Sequence, residues 1–338
     1  MSWRRKLLQV ANSALSPAGV RLLPMYEYHN MLTTYRGQEW NSPALSAADL
    51  AYLDVNNPRL ADLRRRYAGH PAAAHTQWNE PDILQDMALQ NFRGDNHYVY
   101  QVRYSPSPQT YFVTAYYVRD HDKLGIFGRL IEDGQFGAYT LPFEGGYLVS
   151  RDLMQSINEI NVIYRMLGRS AQQSIRLLDI GAGYGRLAHR LTEAFPGASV
   201  ACTDAVPLST FLSEFYLQFR GVHERASVVP LDEAETVLTG QGFDLISNIH
   251  SFSECQLSVI EWWMHLIENI DVSRMMIVPN ARDQFLSTES DGTHQDFLRL
   301  LTRFGWRLVH KEPIYGASIV ANEYGLYPNF CFHWFERS

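Results

Sequence analysis

The stretch IRLLDIGAGYGRL, residues 175–187, decides the fold of this 338-residue chain. It is an apolar run that reaches an acidic residue, Asp179, and then three glycines at alternate positions, Gly181, Gly183 and Gly185. Glycine lets the backbone turn sharply and approach a ligand, and a helix that begins there offers unpaired N–H groups. The stretch therefore predicts a strand, a glycine loop and a helix, with a nucleotide-like ligand at the loop.

The chain beyond residue 174 alternates short apolar runs with longer stretches of helical spacing. Such alternation indicates a mostly parallel sheet that is covered by helices on both faces. The predicted strands are residues 175–180, 199–203, 226–231, 243–249, 275–278, 306–310 and 330–335. The predicted helices begin near Gly185, Leu208, Asp232, Cys255 and Gln284. We expect an α/β, Rossmann-like fold with seven strands, one of them antiparallel near the edge of the sheet.

The chain before this region lacks the alternation of strands and helices. Residues 1–150 are predicted to form a mainly helical cap that binds the substrate, and residues 151–338 the sheet domain. Helical spacing occurs in residues 58–67, 81–92, 109–133 and 151–167. The last of these helices is predicted to join the cap to the sheet, with Asp152 as its N-cap.

The overall composition excludes several classes of protein. A net charge of −7 offers no broad basic surface, so nucleic acid is not an expected partner. Three cysteines without paired spacing favour a reducing cytoplasm over a disulfide framework or a zinc site. No apolar run is long enough to span a membrane. The N-terminal segment, residues 1–23, is expected to dock as an amphipathic helix on the body or on the second subunit of a homodimer.

The glycine spacing separates two kinds of nucleotide site. The dinucleotide fingerprint G-x-G-x-x-G seats a pyrophosphate, which a carboxylate at Asp179 would repel. The chain has G-x-G-x-G after LLD, a pattern that resembles the first motif of class I S-adenosylmethionine-dependent methyltransferases. Their ligand carries an ammonium and a sulfonium and no phosphate. The resemblance implies S-adenosylmethionine as cofactor, while a dehydrogenase site and a purely structural turn are the alternatives.

The residues implied to bind the cofactor follow the first four strands. Asp204 ends the second strand, where an acidic side chain can accept hydrogen bonds from ribose hydroxyls. Asp232 ends the third strand and resembles the residue that contacts adenine in many methyltransferases, with an N-cap of the next helix as the alternative. The predicted set is Asp179, Gly181, Ala182, Gly183, Asp204, Ala205, Asp232 and Asn248.

The catalytic residues are predicted after the fourth and fifth strands. The stretch FDLISNIHSFSEC, residues 243–255, lacks the Asn/Asp-Pro-Pro-aromatic string of methyltransferases that modify the amino groups of bases. An imidazole titrates near neutrality, so His250 can take a proton from a hydroxyl, unless it only caps the next helix. Glu254 is predicted to orient the imidazole, to act as a base or to bind a sugar hydroxyl. Asp283 is the third predicted catalytic residue.

Six blocks resemble the bacterial sugar O-methyltransferase family. They are FRGDN (92–96), SRDLMQSINEIN (150–161), LDIGAGYGRLAHR (178–190), DAVPLSTFLSE (204–214), NIHSFSEC (248–255) and IVPN (277–280). The resemblance implies an enzyme that methylates a carbohydrate hydroxyl of a small molecule or an oligosaccharide. The alternatives are an O-methyltransferase of a phenolic or polyketide compound and a protein that binds S-adenosylmethionine without turnover.

The acceptor is predicted to contact four polar residues, and the role of a metal stays open. These residues are Asp95, Glu144, Arg151 and Asn280. Magnesium assists some sugar methyltransferases by lowering the pKa of a hydroxyl, but the spacing of the acidic residues gives no compact ligand set. The predicted site therefore includes no metal ligand.

Overall fold

The computed structural model of the chain describes residues 3–15, 22, 43–73, 78, 80–94, 98, 107–280, 282, 284–326 and 329–337. The chain divides into two compact units. The first comprises Met1–Ala44, Gln90–Asn158 and Pro313–Asn329, and the second comprises Leu45–Leu89, Glu159–Glu312 and Phe330–Ser338. The units are therefore interleaved along the chain, whereas the sequence predicts one boundary after residue 150.

The described residues contain the following regular elements. The helices are α1 Trp3–Leu15, α2 Ala47–Tyr52, α3 Pro58–Tyr67, α4 Glu80–Asp86, α5 Pro108–His121, α6 Arg151–Met166, α7 Arg186–Ala194, α8 Pro207–Phe219, α9 Ala234–Leu238, α10 Leu257–Glu268, α11 Leu298–Arg303 and α12 Ile319–Tyr324. The strands are β1 Thr140–Pro142, β2 Leu148–Ser150, β3 Arg176–Ile180, β4 Ser199–Thr203, β5 Ala226–Val228, β6 Leu245–Ile249, β7 Arg274–Val278, β8 Trp306–Pro313 and β9 Cys331–Arg337. Within these ranges no helix is long and apolar enough to cross a membrane.

The second unit is built on a seven-stranded sheet with the order β5-β4-β3-β6-β7-β9-β8. Strands β3 to β7 pair in parallel, and β9 runs antiparallel to β7. The order reverses at β3, which lies between β4 and β6. This arrangement confirms the predicted α/β, Rossmann-like fold of class I methyltransferases. In such sheets ligands bind beyond the carboxyl ends of the strands, at the point where the strand order reverses.

The strands of the sheet form where the sequence has continuous apolar runs. The central strands β3, β4, β6 and β7 are buried along almost their whole length, as expected for parallel strands with both faces covered. All seven predicted strands are present, with ends that differ by a few residues. The predicted runs locate the carboxyl ends of the central strands β3, β4, β6 and β7 correctly.

The helix predicted from Gln284 is wrong. The residues at this position instead form a bridge in which Leu286 pairs antiparallel with Asp296. A turn closes this hairpin, because the amide of Gly292 bonds the carbonyl of Glu289 and Asp291 accepts from the amide of Thr293. The sequence TESDGT therefore supplies turn residues where the apolar spacing suggests a helix.

The first unit contains α5, which begins as the sequence predicts and ends early. Ser107 caps it and Pro108 occupies its first position, where proline costs no hydrogen bond. The predicted helix over residues 109–133 ends at His121, and the chain then passes through Gly125 and Gly128 at positive φ. Two left-handed residues in this interval are incompatible with a continued right-handed helix.

A buried ion-pair network lies at the start of α6 in the first unit. The guanidinium of Arg93 is fully buried and contacts the carboxylates of Glu132 at 2.7 Å and Asp152 at 3.1 Å. The hydroxyl of Ser150 accepts from the amide of Leu153, so Ser150 caps this helix and the prediction of Asp152 as its N-cap is wrong. Asp152 instead balances the charge of Arg93, the buried second residue of the FRGDN block.

Candidate functional site

The glycine loop follows β3 in a left-handed backbone conformation. The φ angles are +75° at Gly181, +56° at Gly183 and +85° at Gly185, a region that side chains other than that of glycine rarely adopt. The amides of Gly181 and Ala182 both donate to the carbonyl of Thr203, at 2.8 and 3.2 Å. The loop is therefore anchored to the end of the neighbouring strand β4.

The three glycines serve different purposes. A Cβ atom on Gly181 would lie 2.1 Å from the hydroxyl oxygen of Ser251, and one on Gly185 would lie 2.9 Å from that of Ser213. Among the described residues, no atom comes within 4 Å of the corresponding position on Gly183. The outer two glycines are thus required by packing, while the middle one leaves its backbone open to a ligand.

Asp179 is a buried carboxyl group at the carboxyl end of β3. It lies directly beside Ser247 of β6 in the register of the sheet, and the Ser247 hydroxyl donates to its Oδ1 at 2.6 Å. Burial raises the pKa of Asp179 to about 7, although the hydrogen bond from Ser247 opposes the shift. A cation bound beside this group would offset the cost of ionising it.

The nearest described cation is committed to another partner. Arg186, at the start of α7, lowers the pKa of Asp179, whereas Glu159 raises it. The guanidinium of Arg186 forms two bonds with the carboxylate of Glu159, at 2.7 and 3.0 Å. Asp179 therefore remains a buried acid whose charge is poorly compensated, as expected for a site that accepts a positive ligand group.

Asp204 is the second buried carboxyl group, and it holds the loop from the β4 side. It accepts from the amides of Gly183 and Val206, each at 2.9 Å, and also from the Ser209 hydroxyl and the Ala205 amide. Burial nevertheless raises the pKa of Asp204 to about 6. Its contact with a ribose hydroxyl stays a prediction, but its position against Gly183 places it at the open part of the loop.

Asn248 links two backbone segments next to the loop. Its side-chain nitrogen donates to the carbonyl of Ile180 at 2.9 Å, and its oxygen accepts from the amide of Phe252 at the same distance. The side chain is fully buried. Asn248 thus fixes the end of β3 to the turn after β6, and its predicted contact with the cofactor stays untested.

Asp232 lies in a short 3-10 turn after β5. Its two oxygens accept from Nε and Nη2 of Arg66 at 2.8 and 2.9 Å, and Glu233 bonds the same guanidinium. Neither α9 nor the turn before it has a side-chain cap, so the alternative of Asp232 as an N-cap is wrong. Its contact with adenine stays a prediction, now with Arg66 as a neighbour.

His250 follows β6 in an unusual backbone conformation. Its φ and ψ are +70° and −34°, and its amide donates to the carbonyl of Val278 at 2.7 Å. A non-glycine residue at positive φ costs about 1–3 kcal/mol and persists where its surroundings impose it, often at functional sites. The imidazole packs edge-on against Phe330 and forms no cap of the following turn, so the capping alternative is wrong.

Glu254 ends the turn after His250 and is half-buried. Its carboxylate accepts from Nδ2 of Asn280 at 3.1 Å and from the side chain of Trp78. Burial raises the pKa of Glu254, and these two bonds lower it. Glu254 is therefore oriented by Asn280 and Trp78 instead of orienting the imidazole of His250, so its predicted role as a base or as a ligand of a sugar hydroxyl is the one that remains.

The remaining predicted residues are not all in this unit. Glu144 and Arg151 belong to the first unit, where Glu144 pairs with Arg119 at 2.6 Å and Arg151 donates to Gln155. Asp95 and Asp283 lie outside the described residues. The predicted roles of these four residues in binding and catalysis stay predictions.

The acidic side chains beside the loop suit a positively charged ligand better than a phosphate. Two buried carboxyl groups with raised pKa values, Asp179 and Asp204, would repel a pyrophosphate and attract an ammonium or sulfonium group. The hydroxyl of Thr203 is buried without a hydrogen-bond partner in the described part of the chain. No group of three or more metal-ligating side chains occurs there either.

Several contacts of this site are absent from the predicted set of site residues. Ser247 and Ser251 are adjacent to predicted residues, but only the strand register and the turn show that they face Asp179 and Gly181. Trp78 comes from a segment that the sequence assigns to the cap, and only the structure shows its bond to Glu254. Ser247 and Asn248 of β6 are adjacent polar residues in an apolar strand, and this signal indicates polar contacts without naming their partners.

Comparisons with known proteins extend no further than likeness of fold. No protein-family model matches the chain, and no curated protein shows significant sequence similarity to it. The chain is similar to the mitomycin 7-O-methyltransferase MmcR, with 18% identity and a TM-score of 0.39 over 55% of this chain and 57% of that one. It is also similar to the magnesium protoporphyrin IX methyltransferase ChlM from Synechocystis PCC 6803, with 16% identity and a TM-score of 0.39 over 67% of this chain and 97% of that one. A third similar structure is the glycopeptide N-methyltransferase MtfA, with 12% identity and a TM-score of 0.39 over 53% of this chain and 85% of that one. The fold assignment rests on the strand order, not on these likenesses.

Proposed function

We propose that the protein is an S-adenosylmethionine-dependent O-methyltransferase that acts on a carbohydrate hydroxyl. The observation that carries the proposal is the pair of buried carboxyl groups, Asp179 and Asp204, on either side of a glycine loop whose middle residue, Gly183, is open. Such a site favours a cationic nucleoside ligand, and S-adenosylmethionine combines an adenosine with an ammonium and a sulfonium.

The chain's own residues would bind the cofactor in three places. We expect Asp179 to accept from the ammonium, Asp204 from the ribose hydroxyls, and Asp232 to contact adenine. Bound there, S-adenosylmethionine would supply an electrophilic methyl group. Gly183 lets the loop approach it closely, and Asn248 keeps the loop and the turn after β6 in a fixed relation.

The acceptor hydroxyl must lose a proton as its oxygen is methylated. His250 is our candidate for the base, because a neutral imidazole can take that proton near pH 7 and its strained backbone fixes the ring beyond the end of β6. Glu254, held by Asn280 and Trp78, would accept from a neighbouring acceptor hydroxyl. Asp283 would assist from the loop after β7. Proton removal and positioning are then the protein's main contributions to the rate.

The carbohydrate acceptor is supported by the six sequence blocks of the sugar O-methyltransferase family. Within that family the chain resembles the mycobacterial enzyme of methylmannose polysaccharide synthesis, which methylates the 1-hydroxyl of a methylated mannoside. We therefore propose a short methylated mannoside as the first acceptor to test. Asp95, Glu144, Arg151 and Asn280 are the proposed partners of its hydroxyl groups.

The test is transfer of a labelled methyl group from S-adenosylmethionine to a panel of acceptors. The panel contains mannosides, glucosides and disaccharides, together with phenolic compounds, each with and without a chelator. Transfer to a mannoside or glucoside is the expected result. Preferred transfer to a phenol would show that the acceptor is a phenolic compound and not a carbohydrate. Binding of S-adenosylhomocysteine without methyl transfer to any acceptor would favour a protein that is not an enzyme.

The base is tested separately by His250→Asn. Asparagine tolerates a positive φ, so this variant removes the imidazole without adding backbone strain. We expect kcat to fall by about 10²–10⁴-fold with the affinity for S-adenosylhomocysteine unchanged. His265→Ala, on the exposed face of α10, is the matched control. If His250→Asn keeps full activity and Glu254→Gln loses its activity, Glu254 is the base and His250 is not.

A further inference from the structure

We propose that helix α3 completes the adenosine end of the cofactor site and that Tyr67, its last residue, is a positioning residue for the nucleoside. This inference rests on the proposed function. The sequence assigns Pro58–Tyr67 to a substrate cap, whereas the structure includes the helix in the compact unit of the sheet. Its role is therefore to be sought at the cofactor and not at the acceptor.

Helices α2 and α3 are fastened along α8, the helix that follows Asp204. The ring of Tyr52 stacks on Phe211 with 5.1 Å between centroids and parallel planes. Arg59 donates through Nε to the carboxylate of Glu214 at 2.8 Å and through a second nitrogen to the same group. Leu60 and Leu63 of α3 are fully buried, together with Tyr67. The end of α3 is thus held in one place on the second unit.

Tyr67 uses its hydroxyl to bind the turn after β5 and helix α8. The hydroxyl oxygen accepts from the amide of Leu231 at 2.7 Å and lies 2.9 Å from the hydroxyl of Thr210 on α8. Leu231 begins the 3-10 turn that contains Asp232. Because a peptide plane is rigid, this bond holds the Pro230–Leu231 peptide at the start of the turn that contains Asp232.

The residue before Tyr67 acts on the same turn. Arg66 forms its two-pronged bond with Asp232, with a further bond to Glu233. Such paired bonds fix geometry as well as charge, so the carboxylate of Asp232 is oriented by α3. Consecutive residues of one helix therefore hold the backbone and the side chain of the turn at which adenine is expected.

The charges of both predicted nucleoside contacts act on Tyr67. Burial raises the pKa of Tyr67 to about 12, and the negative charges of Asp204 and Asp232 add to the shift. The hydroxyl bonds the amide of Leu231, the neighbour of Asp232, and the side chain of Thr210, the neighbour of Ser209, whose hydroxyl bonds Asp204. The phenol remains protonated at physiological pH, so it accepts from Leu231 and shares a hydrogen bond with Thr210 in which either hydroxyl can donate.

The test compares two probes that share the adenosine and differ in the amino acid portion. S-adenosylhomocysteine carries the ammonium, and 5′-methylthioadenosine does not. We expect Tyr67→Phe to raise the Kd of both probes by about tenfold, since it removes one buried hydrogen bond that orders the turn. We expect Asp179→Asn to weaken the first probe and leave the second unchanged. The Tyr67→Phe enzyme should show a raised KM for S-adenosylmethionine with the KM of the acceptor unaltered.

The matched control is Tyr52→Phe on α2. In the described part of the chain the Tyr52 hydroxyl forms no hydrogen bond, so this variant deletes the same atom from a neighbouring residue of the same helical layer. It should bind both probes like the wild type. Thermal unfolding of the ligand-free variants separates a structural role, which would lower only the midpoint, from the proposed one.

The outcomes distinguish this inference from the proposed function. Wild-type affinity of Tyr67→Phe for both probes, or a loss confined to S-adenosylhomocysteine, would overturn the assignment of Tyr67 to the adenosine end. Failure of the wild-type protein to bind either probe would instead overturn the proposed function itself.

Discussion

Substitution of Asp179 by asparagine is the most direct test of the electrostatic design of the site. The amide oxygen of asparagine can still accept from Ser247, so the variant removes the charge and keeps the shape. Since a hydrogen bond to a charged group contributes about 1.5–3 kcal/mol, we expect the affinity for S-adenosylhomocysteine to fall by about ten- to a hundredfold at pH 8.

The pH dependence of binding sharpens this prediction. With a pKa of about 7 in the ligand-free protein, Asp179 is about 90% ionised at pH 8 and about 10% ionised at pH 6. A ligand ammonium that requires the carboxylate should therefore bind about tenfold more weakly at pH 6 than at pH 8. In Asp179→Asn the remaining dependence should follow Asp204 and move to about pH 6.

Calorimetric titration with S-adenosylhomocysteine across this pH range measures both effects, and buffers of different ionisation enthalpy report the protons released. Ser247→Ala is the companion variant, because loss of its hydrogen bond should raise the pKa of Asp179 and shift the midpoint to higher pH. Equal affinities and equal pH profiles for the wild type and Asp179→Asn would refute the role assigned to this carboxylate.

Three further outcomes are expected. The folded-state pKa of Asp179 lies above the ordinary value of 3.8, so the folded protein binds this proton more tightly than the unfolded chain does. Stability is therefore lost as the pH rises from about 4 through about 7. At pH 8 the ligand-free Asp179→Asn variant should be more stable than the wild type, by up to a few kcal/mol in denaturant titrations. Gly181→Ala should abolish binding of S-adenosylhomocysteine, because the new methyl group overlaps Ser251 and the left-handed backbone costs about 1–2 kcal/mol. Adding Ser251→Gly should restore part of the lost thermal stability. If the double variant is no more stable than Gly181→Ala, Ser251 is not the source of the clash. Arg93→Met should destabilise the fold by about 3–5 kcal/mol because it leaves two buried carboxylates without their cation, whereas Arg65→Ala, at an exposed pair, should change the unfolding free energy by less than about 1 kcal/mol.

The helices show where local patterns fail. The spacing of residues 58–67 predicts α3 to the residue, because its cap Asn57, Pro58 and its apolar positions all favour the same helix. The spacing beyond Gln284 also suggests a helix, but a turn at Asp291 and Gly292 pairs the segment with itself. Apolar periodicity alone does not register a hydrogen-bonded turn in the middle of a segment.

Some parts of the candidate site could be predicted from neighbouring residues in the sequence, and others could not. Asp179, Asp204 and the glycine loop were predictable, because each follows an apolar strand and the carboxyl ends of parallel strands meet at one edge of the sheet. The partners of Glu254 and Asp232 were not, since Trp78 and Arg66 are far away in the sequence.

The sequence by itself determined the seven strands after residue 174, the glycine loop and the acidic residues at the ends of the first strands. These features depend on period, on turn chemistry and on residues close in the chain. Only the tertiary structure decided that α3 belongs to the sheet unit, that Ser247 bonds Asp179 and that Tyr67 holds the Leu231 amide. Strand register and helix docking bring together residues that are distant in the sequence. The free energy that favours these contacts comes from burial and hydrogen bonding between separate segments, so no single segment reveals it.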